Sequence, residues 1–192
     1  SVFEGERSTV AAVYFEGIVR TDTSVALRTA RLAAGGAFRE GDLAAARRRL
    51  AGAGLFSEVG EPVIRRRGGG AVEVVIPVTE VERPNAFQGA FGFSQKENGD
   101  YRLNGSALLD LRNIAGTGRE ARFDWLNDGE DYSRIELSYL ERFFLGSPLR
   151  MRVELGQVIQ DTVYTWHTGG VYLTWPVAGS WAVTAGAAVD RN

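Results

Sequence analysis

The sequence predicts an α+β domain followed by an antiparallel β-sheet of about seven strands, and three observations lead to this fold class. Apolar residues recur at helical spacing only within residues 25–50. From Phe87 onward, apolar and polar residues alternate with a period of two, in segments of roughly ten residues. The composition, with 24 glycines, 5 prolines and 10% aromatic residues, is typical of a chain rich in turns and aromatic strands.

The first half has the predicted order β-α-α-β-β. Its elements are a strand over 10–20, helices over 25–33 and from Asp42 to Gly52, and strands over 61–67 and 71–81. The polar residues 21–24 can cap the first helix, and Gly35-Gly36 is expected to end it. Gly68-Gly69-Gly70 predicts a hairpin turn between the last two strands. A domain of this size buries only a modest core, so it is marginal alone.

Each segment of the second half has one apolar face. These faces contain Phe87, Gly89, Phe91 and Phe93; Leu103, Ala107 and Leu109; Phe123 and Trp125; Ile135, Leu137, Tyr139 and Phe143; Met151, Val153 and Leu155; a less regular set near 163–175; and Trp181, Val183 and Val189. Alternation of this kind suits a soluble sandwich or a lipocalin-like barrel as well as a membrane barrel.

Three details favour the membrane barrel. Charges of both signs recur on the inferred inner face, which suits a wet lumen better than the dry core of a sandwich. Aromatic residues such as Trp125, Trp175 and Trp181 lie near strand ends, where interfacial girdles form. The segments, of about nine to thirteen residues, are long enough to cross a bilayer when tilted.

Composition also excludes several kinds of function. The formal charge of −2 offers no global field for nucleic acid. Because the chain has no cysteine, it has no disulfide scaffold, thiolate zinc site or cysteine nucleophile. His167 is the only histidine, which excludes a histidine-based metal cluster and leaves no obvious catalytic triad. We therefore expect a protein that is not an enzyme, with no catalytic residues, no cofactor and no bound metal.

An ordered set of motifs in the first half carries a family resemblance. The motifs are Phe15-Glu16-Gly17, Gly36-Ala37-Phe38, Asp42-Leu43, Leu50, Gly54-Leu55-Phe56-Ser57-Glu58-Val59, and Val72 to Glu80. Together they resemble a POTRA domain, the periplasmic module that precedes the barrel in the Omp85 family. The turn that contains Asn113, Gly116 and Gly118 resembles the Asn-x-x-Gly-x-Gly turn of Omp85 barrels.

The resemblance implies a domain division and a place in the cell. Residues 1–9 would be a linker, 10–83 a POTRA domain in the periplasm, and 84–192 the N-terminal strands of a β-barrel in the bacterial outer membrane. The implied function is insertion or translocation of outer-membrane or exported proteins. The implied partners are such unfolded clients, the lipid bilayer and periplasmic or lipoprotein accessory subunits.

Two client-binding sites follow from the resemblance. The family topology places Glu61, Val63, Arg65 and Arg67 at the edge of the POTRA sheet, where an extended client can add as a strand. Arg65, Arg66 and Arg67 would attract acidic segments, although a charged edge equally well protects a sheet against aggregation. The first barrel strand would be a lateral gate, and its candidate residues are Phe87, Gly89, Phe91, Gly92 and Phe93. The glycines there either let the strand open or only relieve crowding.

Alternatives remain at this point. The chain could be a passive pore, a structural envelope module or the barrel anchor of a patatin-like fusion, without insertase activity. Seven strands do not close a barrel of the family's size of roughly sixteen, since barrels of this type use even strand counts. The sequence therefore predicts a fragment, or a barrel that another polypeptide completes.

Overall fold

A computed structural model describes residues 8–82, 84–95, 99–160, 164–177 and 181–191. These residues form two compact units. The first comprises the chain up to residue 82 together with 115–117, and the second comprises the rest. Across the described residues, every helix is too short or too polar to cross a membrane.

The first unit is a mixed β-sheet covered by two helices. Its elements are β1 (Thr9–Glu16), α1 (Thr23–Ala30), α2 (Glu40–Ala51), β2 (Phe56–Val59), β3 (Val63–Arg66) and β4 (Ala71–Glu80). Strand β4 is central, with β1 parallel to it on one side. On the other side β2 and β3 pair antiparallel with successive parts of β4, namely 78–80 and 72–75.

The core of this unit is formed by buried residues of both helices together with those of β4. Leu43, Ala46 and Leu50 of α2 are buried, which confirms the helix face predicted from their spacing. Leu50 and the β4 residues Val74 and Ile76 are fully buried. Full burial of a side chain of this size contributes about 1.5–3 kcal/mol.

Two predicted elements end earlier than expected, one at Gly17 and one at Arg31. The first strand ends at Glu16 rather than residue 20, because Gly17 has φ +102° and its missing Cβ would lie 2.0 Å from the Val78 carbonyl oxygen. The first helix ends before Gly35, since Arg31 already adopts a left-handed conformation with φ 56°. At its start, the predicted polar cap is confirmed: the Asp22 side chain accepts a 2.7 Å hydrogen bond from the Ser24 N–H.

The second unit is a seven-stranded antiparallel sheet, as predicted. Its strands are β5 (Ala86–Gln95), β6 (Tyr101–Ile114), β7 (Arg119–Asn127), β8 (Tyr132–Glu141), β9 (Arg150–Gln160), β10 (Tyr164–Pro176) and β11 (Ala182–Arg191). They pair in chain order, with β5 and β11 at the two edges, so the sheet is open. One expectation failed: Phe143 lies in the turn after β8 rather than on its apolar face.

The register places every predicted apolar face on the same side of the sheet. A single row of paired residues runs through Phe87, Leu109, Phe123, Leu137, Leu155, Gly169 and Val189. A neighbouring row on the opposite side runs through Asp110, Arg122, Ser138 and Glu154. At about 3.3 Å per residue, strands of 9 to 14 residues are long enough to cross a hydrocarbon core when tilted.

Candidate functional site

The first candidate surface is the edge of the sheet formed by β2 and β3. Among the described residues, β3 pairs with β4 alone, so its other edge is open. Gly60 joins the two strands and donates a 2.9 Å hydrogen bond to the Pro77 carbonyl oxygen. A Cβ at Gly60 would lie 2.8 Å from Pro77 Cγ, so only glycine lets this edge stay close to β4.

The predicted edge residues differ in what their side chains contact. Val63 and Arg65 lie on β3, and Val63 is 51% exposed. Arg65 forms a 3.6 Å ion pair with Glu16 of β1. Glu61 precedes β3 and its carboxylate pairs with Arg47 of α2.

The remaining arginines of this edge also differ. Arg67 follows β3, and its guanidinium pairs with Glu73 at 2.8 Å. Arg66 is exposed, and no ion pair involving it is found within the part of the chain that the structure describes. Arg66 is therefore the arginine of this edge whose charge is available to a partner.

The opposite edge of this sheet is covered where β1 begins. Val10 donates a 2.9 Å backbone hydrogen bond to Gly36 and accepts one of 2.7 Å from Gly35. Phe38 donates another, of 2.8 Å, to the Ser8 carbonyl oxygen. The β1 edge of the sheet is therefore covered where β1 begins, whereas the edge formed by β2 and β3 is the more open of the two.

A buried carboxylate holds the loop after β1 in place. Both oxygens of Glu80 accept hydrogen bonds from the Arg20 N–H, at 3.2 and 3.0 Å, and Oε1 also accepts one of 2.7 Å from the Thr21 N–H. Burial alone would raise the pKa of Glu80, but the hydrogen bonds from Thr21 and Arg20 outweigh it and lower this pKa. Glu80 therefore stays ionised and fixes the end of β4 to residues 20–21.

The second candidate surface is β5, the first strand of the open sheet. Phe87, Phe91 and Phe93 are each at least 60% exposed on the apolar side, and Phe91 stacks on Trp125 with ring centroids 5.8 Å apart. At Gly89 a Cβ would lie 3.1 Å from the Phe91 ring and 3.2 Å from the Phe87 ring. At Gly92 it would lie 2.5 Å from Asn104 Oδ1. Both glycines thus make room for neighbouring side chains.

Beside β5, the glycine whose added Cβ would make the closest contact is Gly105, and the sequence analysis missed it. Gly105 lies on β6 opposite Phe91, has φ +140°, and would place a Cβ 2.0 Å from the Ala90 carbonyl oxygen. Other alternating strands of the chain also contain glycine, so pattern alone did not single out this position. The interruption of the apolar series between Leu103 and Ala107 is the signal that could have identified it.

The turn with Asn113, Gly116 and Gly118 is closed by its own side chain. These three residues have φ values of 54°, 75° and 74°, and Asn113 Oδ1 accepts a 2.8 Å hydrogen bond from the Gly118 N–H. Asparagine and glycine are the residues that adopt such backbone most readily. Arg142, which is 9% exposed, donates a 2.7 Å hydrogen bond from Nε to the Gly118 carbonyl oxygen and pairs with Glu120.

Charged residues on the polar side of the sheet form a ladder of ion pairs within and between strands β6, β7 and β8. Asp110 pairs with Arg112 at 3.1 Å and with Arg122 at 3.9 Å, and Asp124 pairs with Arg122 at 3.6 Å and Arg134 at 3.2 Å. The charges therefore neutralise one another locally. No group of three or more histidine, cysteine, aspartate or glutamate residues in the described segments could hold a metal ion.

The fold and these surfaces define a class of protein: a small α/β module with an open sheet edge, joined to membrane-type β-strands. The family model described as "POTRA: Surface antigen variable number repeat" matches residues 8–81. A curated protein of Treponema pallidum, named "Putative outer membrane protein assembly factor", is 28% identical over 149 residues. That match covers 78% of this chain and 18% of the relative's length.

Solved structures confirm the fold. BamA from Haemophilus ducreyi, lacking POTRA domains 1–3, aligns over 96% of this chain and 35% of its own, with a TM-score of 0.64 and 18% identity. CdiB from Acinetobacter baumannii aligns over 96% of this chain and 46% of its own, with 11% identity and a lower TM-score of 0.40. Residues 8–81 thus match the POTRA family model and the chain shares the fold of BamA, which confirms the resemblance to the Omp85 family.

Proposed function

We propose that the chain is part of an outer-membrane factor that assembles or translocates β-barrel or exported proteins. The observation that carries this proposal is the open outer edge of β3, which pairs with β4 alone among the described residues. An open edge presents unpaired backbone N–H and C=O groups, which an extended client segment can satisfy by adding as a further strand. The chain spans only part of its relatives' length, so the activity proposed is that of the whole protein.

At the POTRA edge, the client is held first by backbone pairing to β3. Val63 gives this edge an exposed apolar side chain, and Arg66 gives it a positive charge. Because these two contacts differ in kind, an extended segment with both apolar and acidic residues is the best fit. Attraction to Arg66 would be weakened by salt, since exposed charges are screened within about 10 Å at 0.1 M ionic strength.

In the membrane, β5 is the strand that pairs with a client strand. The resemblance to the Omp85 family makes β5 the gate strand, and Phe87, Phe91 and Phe93 give it an exposed apolar surface. An incoming transmembrane strand would satisfy its backbone groups on β5 when the gate opens, since lipid offers no hydrogen bonds. The POTRA domain is in the periplasm in this proposal, where it meets the client before the membrane step.

Site-specific photocrosslinking in the full-length protein tests the proposal. A photoreactive residue replaces Val63 on β3 or Phe93 on β5, and an unfolded barrel client is added at low and high salt. Crosslinks to the client are expected at both positions, and Arg66→Glu should reduce those at position 63. Arg39→Glu is the matched control, because Arg39 is exposed and lies at the start of α2 away from β3.

Absence of client crosslinks at both positions would contradict the proposal. If the reconstituted protein then conducted ions without binding clients, it would be a passive pore. Equal loss of crosslinks in Arg66→Glu and Arg39→Glu would instead show that net charge, rather than this edge, recruits the client.

A further inference from the structure

The turn between β8 and β9 presents an exposed leucine in a strained conformation. Leu145 has φ 54° and ψ 32°, and 88% of its surface is exposed. This left-handed region is readily adopted by glycine and asparagine, whereas the Cβ of a leucine crowds the neighbouring carbonyl oxygen. Neither the backbone conformation nor burial in the described structure explains a leucine at this position.

The turn that holds Leu145 is well ordered by hydrogen bonds. Gly146 donates a 2.9 Å hydrogen bond to the Phe143 carbonyl oxygen, and Phe144 donates one of 2.8 Å to that of Leu149. The Ser147 hydroxyl donates to the Phe144 carbonyl oxygen at 2.8 Å. Leu145 is therefore held outward by the turn rather than displaced by disorder.

Two exposed apolar residues, Val177 and Trp181, lie at the same end of the sheet. Arg150 at the start of β9 pairs with Thr174 near the end of β10, so the β8–β9 turn and the β10–β11 turn are neighbours. Val177, which is 55% exposed, donates a 3.0 Å hydrogen bond to the carbonyl oxygen of Trp181, which is 80% exposed. Tryptophan is enriched where a membrane meets water.

This surface is continuous with the apolar side of the sheet. On β10, Val171, Leu173 and Trp175 are all partly exposed on that side and lead directly to Val177. Residues 143–149 of the other turn contain no charged side chain. A lipid leaflet is the partner that fits an uncharged turn continuous with a membrane-facing surface.

We propose that the β8–β9 turn docks on the phospholipid leaflet at its end of the sheet, with Leu145 entering the headgroup boundary beside Val177 and Trp181. The inference rests on the proposed membrane position of the strands, but it extends lipid contact to a turn outside them. The turn would fix how deeply this part of the sheet lies in the bilayer.

Single-cysteine labelling of the full-length protein tests this inference, because this chain has no native cysteine. Leu145→Cys, Val171→Cys and Asp131→Cys each receive an environment-sensitive fluorophore, any cysteine outside this chain being replaced first. Position 171 reports the membrane-facing strand surface, and position 131 reports an exposed turn at the opposite end of the sheet. The protein is reconstituted in vesicles of phosphatidylethanolamine and phosphatidylglycerol.

With iodide present on both sides of the vesicle membrane, the expected result is quenching of labels 145 and 171 by lipid-attached nitroxide, with loss of the iodide quenching seen at 131. Iodide quenching at 145 as strong as at 131, with 171 still quenched by lipid, would overturn the inference and leave the proposed function intact. Iodide quenching at both 145 and 171 would contradict the membrane position itself. Protection of 145 from both quenchers would overturn lipid docking in favour of a protein partner.

A second variant separates lipid contact from a structural role of Leu145. Leu145→Asn suits the left-handed backbone, so the protein should fold at least as stably as with leucine. If the leucine side chain anchors the turn, a label at Val177→Cys should gain iodide accessibility in this background. Unchanged accessibility at 177 would overturn the role assigned to Leu145.

Discussion

Replacing Gly105 with alanine should weaken the pairing of β5 with β6. The added Cβ at position 105 would lie 2.0 Å from the Ala90 carbonyl oxygen and 3.0 Å from both Ala90 C and Phe91 Cα. All three are backbone atoms, so no side-chain rotation relieves the contact. The two strands must separate locally, or residue 105 must change its φ of +140°.

The expected loss of stability follows from these two costs. Holding alanine at such a φ costs of order 1–3 kcal/mol. Losing one or two hydrogen bonds between the strands costs about 1 kcal/mol each. We therefore expect Gly105→Ala to lower the free energy of unfolding by about 3 kcal/mol. The backbone hydrogen bonds of β5 should be weakened the most.

Urea unfolding of the full-length protein in detergent, followed by tryptophan fluorescence, measures this loss. Gly169→Ala is the matched control, because Gly169 also lies within a strand on the apolar side, yet its Cβ would be 3.7 Å from its nearest neighbour, Leu155 Cδ2. Hydrogen exchange over residues 86–95 should rise in Gly105→Ala and stay unchanged in Gly169→Ala. Equal unfolding curves and equal exchange for the two variants would refute the reasoning.

Three further predictions test the other contacts. Glu80→Gln should lower the free energy of unfolding by about 1–3 kcal/mol at neutral pH. Because the pKa of Glu80 is lowered in the folded state, this difference between the variant and the original protein should shrink as the pH falls below about 4.3 toward the folded-state pKa. An equal difference at pH 7 and at about pH 3 would contradict this prediction. Asn113→Ala should destabilise by about 1–2 kcal/mol and Asn113→Gly by less, since both lose the bond to Gly118 but glycine keeps the left-handed backbone without strain. Urea unfolding that gives the reverse order would count against this. Arg142→Met should lower the free energy of unfolding by about 3 kcal/mol, because the Glu120 carboxylate and the Gly118 carbonyl oxygen lose this donor. Adding Glu120→Met should recover part of the lost stability. A double variant no more stable than Arg142→Met would rule out the ion pair as the cause.

The faces of the barrel strands could be predicted because a strand alternates strictly. Once Phe87 was placed on the apolar side, the alternation fixed the side of every other residue in its strand, and the register of the sheet brought these sides together. The same holds for α2, where Leu43, Ala46 and Leu50 recur at helical spacing. Periodicity thus predicts well wherever one side of an element is uniformly apolar.

Features set by contacts distant in sequence could not be predicted in this way. Strand β2 has only four residues, with two buried ends around two exposed residues, which is too short a pattern to detect. The end of β1 depends on the carbonyl oxygen of Val78, and the constraint on Gly105 depends on that of Ala90. Both are backbone contacts between elements, so they leave no trace in the residue pattern of either element alone.

The candidate edges are likewise a matter of topology. Nothing in residues 61–67 shows that Arg67 pairs with Glu73 and Glu61 with Arg47, while no such partner is found for Arg66 within the described residues. Their chemistry could be predicted from the sequence, but the availability of each charge depends on its neighbours. The proposed role of Arg66 therefore comes from the structure.

The ladder of charges on the polar side of the sheet has a consequence for how these strands find their partners. A slip of one residue between neighbouring strands would turn Asp110 and Asp124 toward the apolar side of the sheet, which is costly for a charged group. A slip of two residues would keep them on the polar side but separate Asp110 from Arg122 and Asp124 from Arg134. A misaligned pair of strands therefore either buries a charge on the apolar side or loses its ion pairs. The ladder thus favours a single alignment among many that would satisfy the backbone hydrogen bonds equally well.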